Sequence, residues 1–356
     1  MIEGSLKVRD FCFPATALYT QLLMSPHLIQ RVTVLGTGLI GGSFALALKK
    51  HTTDIFIHGW DRASVVIEAH GRRIIDRASS GSLKDALDGA DLIYIALPIG
   101  ATLDLLPEIA RVASPNALVT DACSTKLRIT QDAAALFPGG EGALFLGGHP
   151  MAGKELSGIA AADGDLFRGH PYALVTEPSS DTALIATAAE AAAVADAASA
   201  QSSIAIPPRT PEDPLLSQQR RGPESDPRVA AFVKILEKLG ARPMWIGAQQ
   251  HDYAVGLASH LPQLAAVALA SFLYDRLDEN GLPITLAGPG LRDSLRLAGS
   301  SYTLWRDIVL TNREILSAAL DLFARRIDEL RERLGSRDLE ADFDAANELY
   351  KLLRGL

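Results

Sequence analysis

The sequence predicts an α/β protein in which a doubly wound sheet is followed by an all-helical domain. Short, continuous apolar runs alternate with helical segments between Arg31 and Ile246, which is typical of parallel strands covered by helices on both faces. A glycine-rich turn, Gly36–Gly41, joins the first of these strands to the first helix. Strand signals largely vanish after Gly247, and 356 residues suit two domains.

The strands of the first domain can be assigned in chain order. The apolar, β-branched run Arg31–Leu35 is the first, and a helix over residues 40–50 follows the glycine turn. The further predicted strands are 54–60, 91–97 (ended by Pro98), 117–120, 172–175 and 242–246. Phe232, Ile235, Leu236 and Leu239 recur at helical spacing, and Gly240 supplies a stop before the last strand.

These assignments give the expected organisation of the chain. We expect an N-terminal extension over residues 1–30, a first domain over 31–246 and a helical domain over 247–356. Residues 181–228 change from alanine-rich to proline-rich, which predicts a mobile insertion. Met24 lies just before the first strand, so the extension is either an upstream misassigned start or an amphipathic arm.

The helical domain is predicted from two apolar patterns. Residues 264–273 are apolar on nearly every side, which favours a helix that is buried all round. The apolar residues Leu320, Phe323, Ile327, Leu330 and Leu334 continue at helical spacing. So much apolar surface should pack on a second copy of the chain, giving a homodimer through this domain. From about Gly335 we expect a short, charged tail.

Composition narrows the class of protein. The formal net charge of −8 argues against a general nucleic-acid or membrane-surface binder. With 2 cysteines, a disulfide framework or a zinc site built mainly of thiolates is not expected, and no metal is predicted. We identify no apolar stretch expected to span a bilayer and no signal sequence at the start, so the cytoplasm is the expected location.

The glycine-rich turn predicts a dinucleotide site. Gly36 permits a tight turn, Gly38 lets the backbone approach a diphosphate, and Gly41 allows close packing of helix on strand. The backbone at Leu39 and Ile40 then offers unpaired N–H groups at the helix N-terminus.

Asp61 stands at the end of the second strand, twenty positions after Gly41. Its carboxylate is placed to accept hydrogen bonds from a ribose and would repel a 2′-phosphate, which favours NAD over NADP. Arg62 leaves an opening for NADP, while Leu97 and Pro98 end a neighbouring strand and complete the predicted cofactor site. The alternative is a turn without ligand and a solvated Asp61.

Four further segments carry residues suited to chemistry. They are Thr120–Lys126, Gly147–Glu155, Ser259–Pro262 and Arg292–Ala298, the last followed by Trp305–Ile308. Together with the glycine turn, the patterns D-x-x-S-x-K, G-G-H-P-M-A-G and D-x-x-R-x-A resemble the prephenate dehydrogenase family, which includes arogenate dehydrogenases. The resemblance runs from about Arg31 to about Leu330, apart from the insertion.

This resemblance implies a Rossmann domain followed by a helical dimerisation domain. It also implies oxidative decarboxylation of prephenate to 4-hydroxyphenylpyruvate in tyrosine biosynthesis, with NAD as hydride acceptor. Arogenate dehydrogenase is the close alternative. A β-hydroxyacid dehydrogenase would need a catalytic lysine on a helix of the second domain, for which we see no equivalent. An NAD-binding redox sensor would need neither a proton acceptor nor a cation for the substrate.

His149 is the candidate proton acceptor. Oxidation of a ring carbinol needs a base for the hydroxyl proton, and a neutral histidine suits this near pH 7. His149 lies in the H-P-M-A-G motif, although it could instead be hydrogen-bonded within its loop. Ser124 matches the family serine near the hydroxyl and the nicotinamide, and it could also be the N-cap of a helix beginning near Thr125.

The remaining candidates bind or orient the substrate. Arg296 matches the family arginine that grips a carboxylate, as a guanidinium can do with two hydrogen bonds. Glu155 and Asp293 match acidic residues that pair with it and control access, unless they form ordinary surface ion pairs. His260 matches a substrate-binding histidine, with a buried structural role as the alternative. Gln263 replaces the final histidine of the S-H-L-P-H pattern, which leaves prephenate against arogenate open.

Overall fold

The structure is a computed structural model that describes residues 29–138, 142–176, 226–277, 281–336 and 338–354. An α/β domain is followed by helices, so the predicted fold class is confirmed. Almost all of the expected N-terminal extension (1–30) and of the expected insertion (181–228) lies outside the described residues.

One sheet of eight strands forms the centre of the first domain. Its strands are β1 Arg31–Leu35, β2 Phe56–Trp60, β3 Arg77–Ser79, β4 Leu92–Ile95, β5 Leu118–Asp121, β6 Leu144–Pro150, β7 Pro171–Thr176 and β8 Arg242–Gly247. They are ordered β3-β2-β1-β4-β5-β6-β7-β8. The strand order reverses between β1 and β4, which are parallel, and this is the position of the crevice in which doubly wound sheets bind ligands.

The expectation of a wholly parallel sheet is wrong at one pair. β6 and β7 are antiparallel, with Pro150 opposite Tyr172, and β8 is parallel to β7. The connection from 151 to 170 contains only a short 3₁₀ turn, Ile159–Ala161. Without a helix to carry the chain back along the sheet, β7 starts at the edge where β6 ends.

The helices of the first domain cover both faces of the sheet. They are α1 Leu39–His51, α2 Ala63–Gly71, α3 Leu83–Leu87, α4 Ile99–Val112, α5 Leu127–Leu136 and α6 Pro227–Lys238. Phe44 of α1 stacks on Tyr94 of β4 with ring centroids 3.9 Å apart. The Tyr172 hydroxyl donates to that of Tyr94 at 3.2 Å, which ties β7 to this core.

Helix α6 begins inside the range expected for the insertion. The Asp226 carboxylate accepts the N–H of Arg228 at 2.8 Å and so caps the helix. Pro227 fits the first turn because the N–H that proline lacks would have no partner there. The proline-rich segment therefore contributes a helix start, contrary to expectation.

The second domain is helical throughout its described part. Its elements are α7 Ala248–Val255, a π-helical turn Gly256–His260, α8 Leu261–Tyr274, α9 Leu282–Thr285, α10 Pro289–Leu295, a 3₁₀ turn Arg296–Gly299, α11 Tyr302–Thr311, α12 Arg313–Glu332 and α13 Glu340–Arg354. The continuous run Ala248–Tyr274 is long and apolar enough to cross a membrane by length and composition, contrary to our expectation. Its first turns pack against α5, β7 and β8 of the first domain.

One further expectation for this domain is wrong. Residues 264–273 are not buried all round, since Val267 is 43% and Phe272 51% exposed. Periodicity alone cannot say whether a covering surface belongs to the same chain. The predicted tail is helix α13, whose Asp342 makes ion pairs with Arg326 and Arg333 of the preceding segment.

Candidate functional site

The glycine turn is closed on one side and open on the other. Gly36 has φ +89°, and a Cβ there would lie 2.5 Å from the Ala96 carbonyl oxygen. A Cβ on Gly41 would lie 1.9 Å from the Gly36 oxygen, so α1 packs directly on the turn. A Cβ on Gly38 would meet no atom of the described ranges within 4 Å. The turn is therefore open at Gly38, where a diphosphate would approach the backbone.

Helix α1 begins beside this opening without a side-chain cap. Gly38 is its N-cap residue, and the first turn carries no acidic side chain. Among the described residues, no side chain bonds to the N–H groups of Leu39, Ile40 and Gly41, which lie at the positive end of a helix dipole. This arrangement fits the phosphates of a dinucleotide.

Asp61 braces the turn from the end of β2. One carboxylate oxygen accepts the N–H of Thr37 at 2.8 Å and the other that of Arg62 at 2.7 Å. The side chain of Asp61 is 14% exposed, whereas that of Arg62 is 87% exposed. Carboxylate lone pairs that remain can accept ribose hydroxyls. Leu97 lies beside Gly36, and Pro98 is the N-cap of α4.

His149 lies near the end of β6 in a buried group of polar side chains. Its Nδ1 is 2.9 Å from Nε2 of His251, and Nδ1 of His251 is 2.8 Å from Oδ1 of Asp252. Burial, followed by the neighbouring His251 and Lys126, holds the pKa of His149 well below its ordinary value. The imidazole is therefore neutral at pH 7, as a proton acceptor must be.

A buried ion pair holds the residue before His149. Asp121 and Lys126 are fully buried and hydrogen-bonded to each other. Asp121 Oδ1 accepts the Gly148 N–H at 3.1 Å, and Lys126 Nζ donates to the Gly148 carbonyl at 2.6 Å. Both polar groups of Gly148 are thereby satisfied. The aspartate and lysine of the D-x-x-S-x-K pattern thus fix the backbone that carries His149.

Ser124 does not cap the helix that follows it. The N–H groups of Lys126 and Leu127, at the start of α5, donate to the Asp252 carboxylate at 2.7 and 2.9 Å. The N-cap interpretation of Ser124 is therefore wrong, because a carboxylate from the helical domain occupies that position. Within the described ranges, the Ser124 hydroxyl is half-buried and makes no hydrogen bond. It remains available to a ligand.

His260 is buried at the end of the π-helical turn. Asn312 donates from Nδ2 to His260 Nδ1 at 3.2 Å, and the Trp305 ring meets the imidazole edge to face at 5.6 Å. Burial lowers the pKa of His260 to about 4. The neutral ring accepts at Nδ1, so its proton lies on Nε2 and can be donated. The structural role and a donor role to substrate are compatible.

Arg296 lies at the start of a 3₁₀ turn and pairs with Glu155. Its Nη1 is 3.1 Å from Glu155 Oε1, with the side chains 59% and 69% exposed. Asp293 is exposed, and in the part of the chain that is described it makes no ion pair with Arg296. The pairing expected with both acidic residues is thus present for Glu155 alone.

The Gln263 amide holds the segment that carries Arg296. Nε2 donates to the Leu297 carbonyl at 2.8 Å, and Oε1 accepts from the Ser300 hydroxyl at 3.4 Å. Both ends of the amide are therefore engaged within the helical domain, and the side chain is 3% exposed. Gln263 therefore orients the 3₁₀ turn that carries Arg296. It also lies in the predicted substrate-binding motif.

Sequence reasoning missed His251, Asp252 and Asn312. His251 and Asp252 are adjacent in α7 and belong to the polar run Gln249–Asp252, which does not single them out in the sequence. The residues that they contact are far away in the sequence, since His149 and His251 are 102 positions apart.

A neutral histidine base, a glycine turn suited to a dinucleotide and an arginine from a helical domain are together typical of a dinucleotide-dependent dehydrogenase. Comparison with known proteins narrows the class. Residues 44–200 match the prephenate dehydrogenase nucleotide-binding domain, and residues 247–354 match the prephenate dehydrogenase dimerization domain. A prephenate dehydrogenase of Lactococcus lactis subsp. cremoris is 32% identical over 88% of this chain and 73% of its own length. The chain belongs to the prephenate dehydrogenase family.

Solved structures share the fold over nearly the whole chain. Prephenate dehydrogenase from A. aeolicus in complex with hydroxyphenyl propionate and NAD⁺ has a TM-score of 0.70 at 24% identity, covering 92% of this chain and 97% of that one. Synechocystis arogenate dehydrogenase has a TM-score of 0.61 at 26% identity, covering 91% and 96%. Relatives of this fold therefore include enzymes named for either substrate.

Proposed function

We propose that this protein is an NAD-dependent prephenate dehydrogenase of tyrosine biosynthesis, which converts prephenate to 4-hydroxyphenylpyruvate and CO₂. The observation that carries the proposal is the state of His149. It is neutral, and its Nδ1 is engaged by His251, so Nε2 is the nitrogen left to meet a substrate hydroxyl. The family membership of both domains supports this assignment.

The residues account for each need of the reaction. NAD, bound along the glycine turn, supplies the hydride acceptor. His149 takes the ring hydroxyl proton as the hydride leaves the same carbon, and Ser124 donates a hydrogen bond near that oxygen. When the ring carboxylate leaves as CO₂, its bonding electrons enter the ring, and the proton on His149 returns to the ring oxygen. No net proton is taken up or released.

Arg296 is the proposed carboxylate anchor. Prephenate carries two carboxylates, and the acidic chain must supply a local cation for them. Since the ring becomes aromatic on loss of CO₂, Arg296 needs only to orient a carboxylate. In the free protein Glu155 forms an ion pair with Arg296. We propose that Glu155 and Asp293 together control the access of substrate to Arg296. His260 donates from Nε2 to the substrate.

The assembly and location form part of the same proposal. The exposed apolar side chains of α8, including Val267 and Phe272, are proposed to pack on a second copy of the chain. The match to a dimerization domain supports a homodimer in this region. We place the enzyme in the cytoplasm, with a small-molecule substrate and no nucleic-acid or membrane partner.

Steady-state assays test the proposal directly. Reduction of NAD and of NADP is measured with prephenate and with arogenate in four separate series. We expect the highest kcat/KM with NAD and prephenate. Faster turnover of arogenate than of prephenate would make arogenate the substrate. Both are tested because Gln263 replaces the family histidine. Absence of turnover with both substrates would overturn the function.

A further inference from the structure

His251 and Asp252 form a buried line of hydrogen bonds that ends on His149. His251 is 2% and Asp252 1% exposed. Nε2 of His251 is 2.9 Å from His149 Nδ1, and its Nδ1 is 2.8 Å from Asp252 Oδ1. Burial of such polar groups costs free energy unless each is bonded, so the direction of these hydrogen bonds matters.

The direction is set at the Asp252 end. The Asp252 carboxylate accepts the N–H of Lys126 at 2.7 Å and that of Leu127 at 2.9 Å, at the positive end of helix α5. Both carboxylate oxygens of Asp252 therefore act as hydrogen-bond acceptors. Because an ionised carboxylate can only accept, His251 must carry a proton on Nδ1 and donate it to Asp252.

The position of the proton on His251 in turn determines the position of the proton on His149. With its proton on Nδ1, a neutral His251 presents a lone pair at Nε2. That lone pair accepts the Nδ1–H of His149, which leaves the lone pair of His149 on Nε2. The reverse direction would place the proton of His149 on Nε2 and remove the base.

We propose that Asp252 and His251 are positioning residues that hold His149 in the tautomer whose Nε2 accepts the substrate proton. The inference rests on the proposed function for the identity of that substrate. Once His149 is protonated, its Nδ1–H remains bonded to His251, and the Asp252 carboxylate behind it offsets the positive charge. Since Asp252 also caps α5, docking of the helical domain on the first domain sets the tautomer of the base.

A matched pair of substitutions tests the role of His251. In His251→Gln the amide oxygen can still accept the His149 Nδ1–H, whereas in His251→Leu no acceptor remains. Both variants leave the Asp252 bonds to α5 in place, and equal thermal midpoints check that both fold. We expect His251→Leu to lower kcat about 100-fold with KM within about twofold, and His251→Gln to stay within about tenfold of the wild type. Equal kcat values in the two variants, or a loss confined to KM, would overturn the proposal.

Nitrogen-15 NMR of the histidine rings gives a readout that needs no turnover. In the wild-type protein without substrate, we expect His149 to be protonated on Nδ1 and bare on Nε2, and His251 to be protonated on Nδ1. A proton on Nε2 of His149 would overturn the proposal. If the wild type oxidises neither prephenate nor arogenate, the proposed function fails, and these spectra still decide the positioning role.

Discussion

The carboxylate of Asp307, in the helical domain, accepts the backbone N–H of Gly100 at 2.9 Å in the first turn of α4. Asp252 makes the equivalent contact with the start of α5. Two carboxylates of one domain thus cap two neighbouring helices of the other. Since α4 and α5 follow β4 and β5, these caps join the domains at the sheet edge where ligands bind.

Asp307→Ala should weaken the junction between the domains. Loss of a helix cap costs about 1 kcal/mol, up to about 2, so we expect a free energy of unfolding lower by that amount in urea denaturation. Asp104→Ala, at an exposed position of α4, the helix that Asp307 caps, is the matched control and should change little. An equal effect of the two substitutions would contradict the capping role.

The stabilisation by Asp307 should depend on pH. The hydrogen bond from Arg306, followed by that from Gly100, lowers the pKa of Asp307. A lowered folded-state pKa gives stability that is present above the unfolded value of about 3.9 and lost as pH falls through the folded value. The difference in unfolding free energy between wild type and Asp307→Ala should therefore shrink in acid. A difference that grows as pH falls would refute this.

His149→Asn should lower kcat by about 10²- to 10⁴-fold, the usual contribution of a general base. In the wild type, burial lowers the pKa of His149, so the base stays neutral as pH falls through 6.5. We expect kcat/KM to be level near pH 6.5 and to fall only in more acidic solution. The exposed His70→Asn is the control. An acid limb centred above pH 6.5 would exclude His149 as the group observed.

Arg296→Ala should raise KM for prephenate with a smaller effect on kcat, since the arginine anchors a carboxylate. Glu155→Gln should do the opposite and lower KM a few-fold, because it removes the carboxylate that occupies Arg296 in the free protein. This pair is well exposed, so the effect should fade at high salt. A raised KM in Glu155→Gln would show that Glu155 assists binding.

Asp61→Asn should weaken discrimination between the cofactors. The amide oxygen can still accept the Thr37 N–H, but the charge that would repel a 2′-phosphate is removed. We expect KM for NAD to rise about tenfold, consistent with the loss of a hydrogen bond to a charged group, and KM for NADP to fall. Arg62→Ala should mainly raise KM for NADP. If the ratio of KM for NAD to KM for NADP were unchanged in both variants, the ribose would not bind at Asp61.

Much of the site could be predicted because its parts lie close together in the sequence. The glycine turn, Asp61 and the strand ends depend on local backbone preferences and on a parallel sheet that brings strand ends to one edge. Ser124 shows where such reasoning fails. The helix that follows it is capped by Asp252, which bonds to the N–H of Lys126 from 126 positions away in the sequence. The antiparallel β7 was also missed, because an apolar run does not encode its direction.

Periodicity and motif spacing are properties of neighbouring residues, and they were enough to predict the α/β class, the dinucleotide turn and the family. The three-dimensional packing alone brings Nδ1 of His149 against His251, because His251 and its partner Asp252 belong to another domain. It also decided that the apolar face of α8 is exposed, since burial is a property of the packed chain. A side chain's proton and its exposure are both set by neighbours that the sequence leaves far apart.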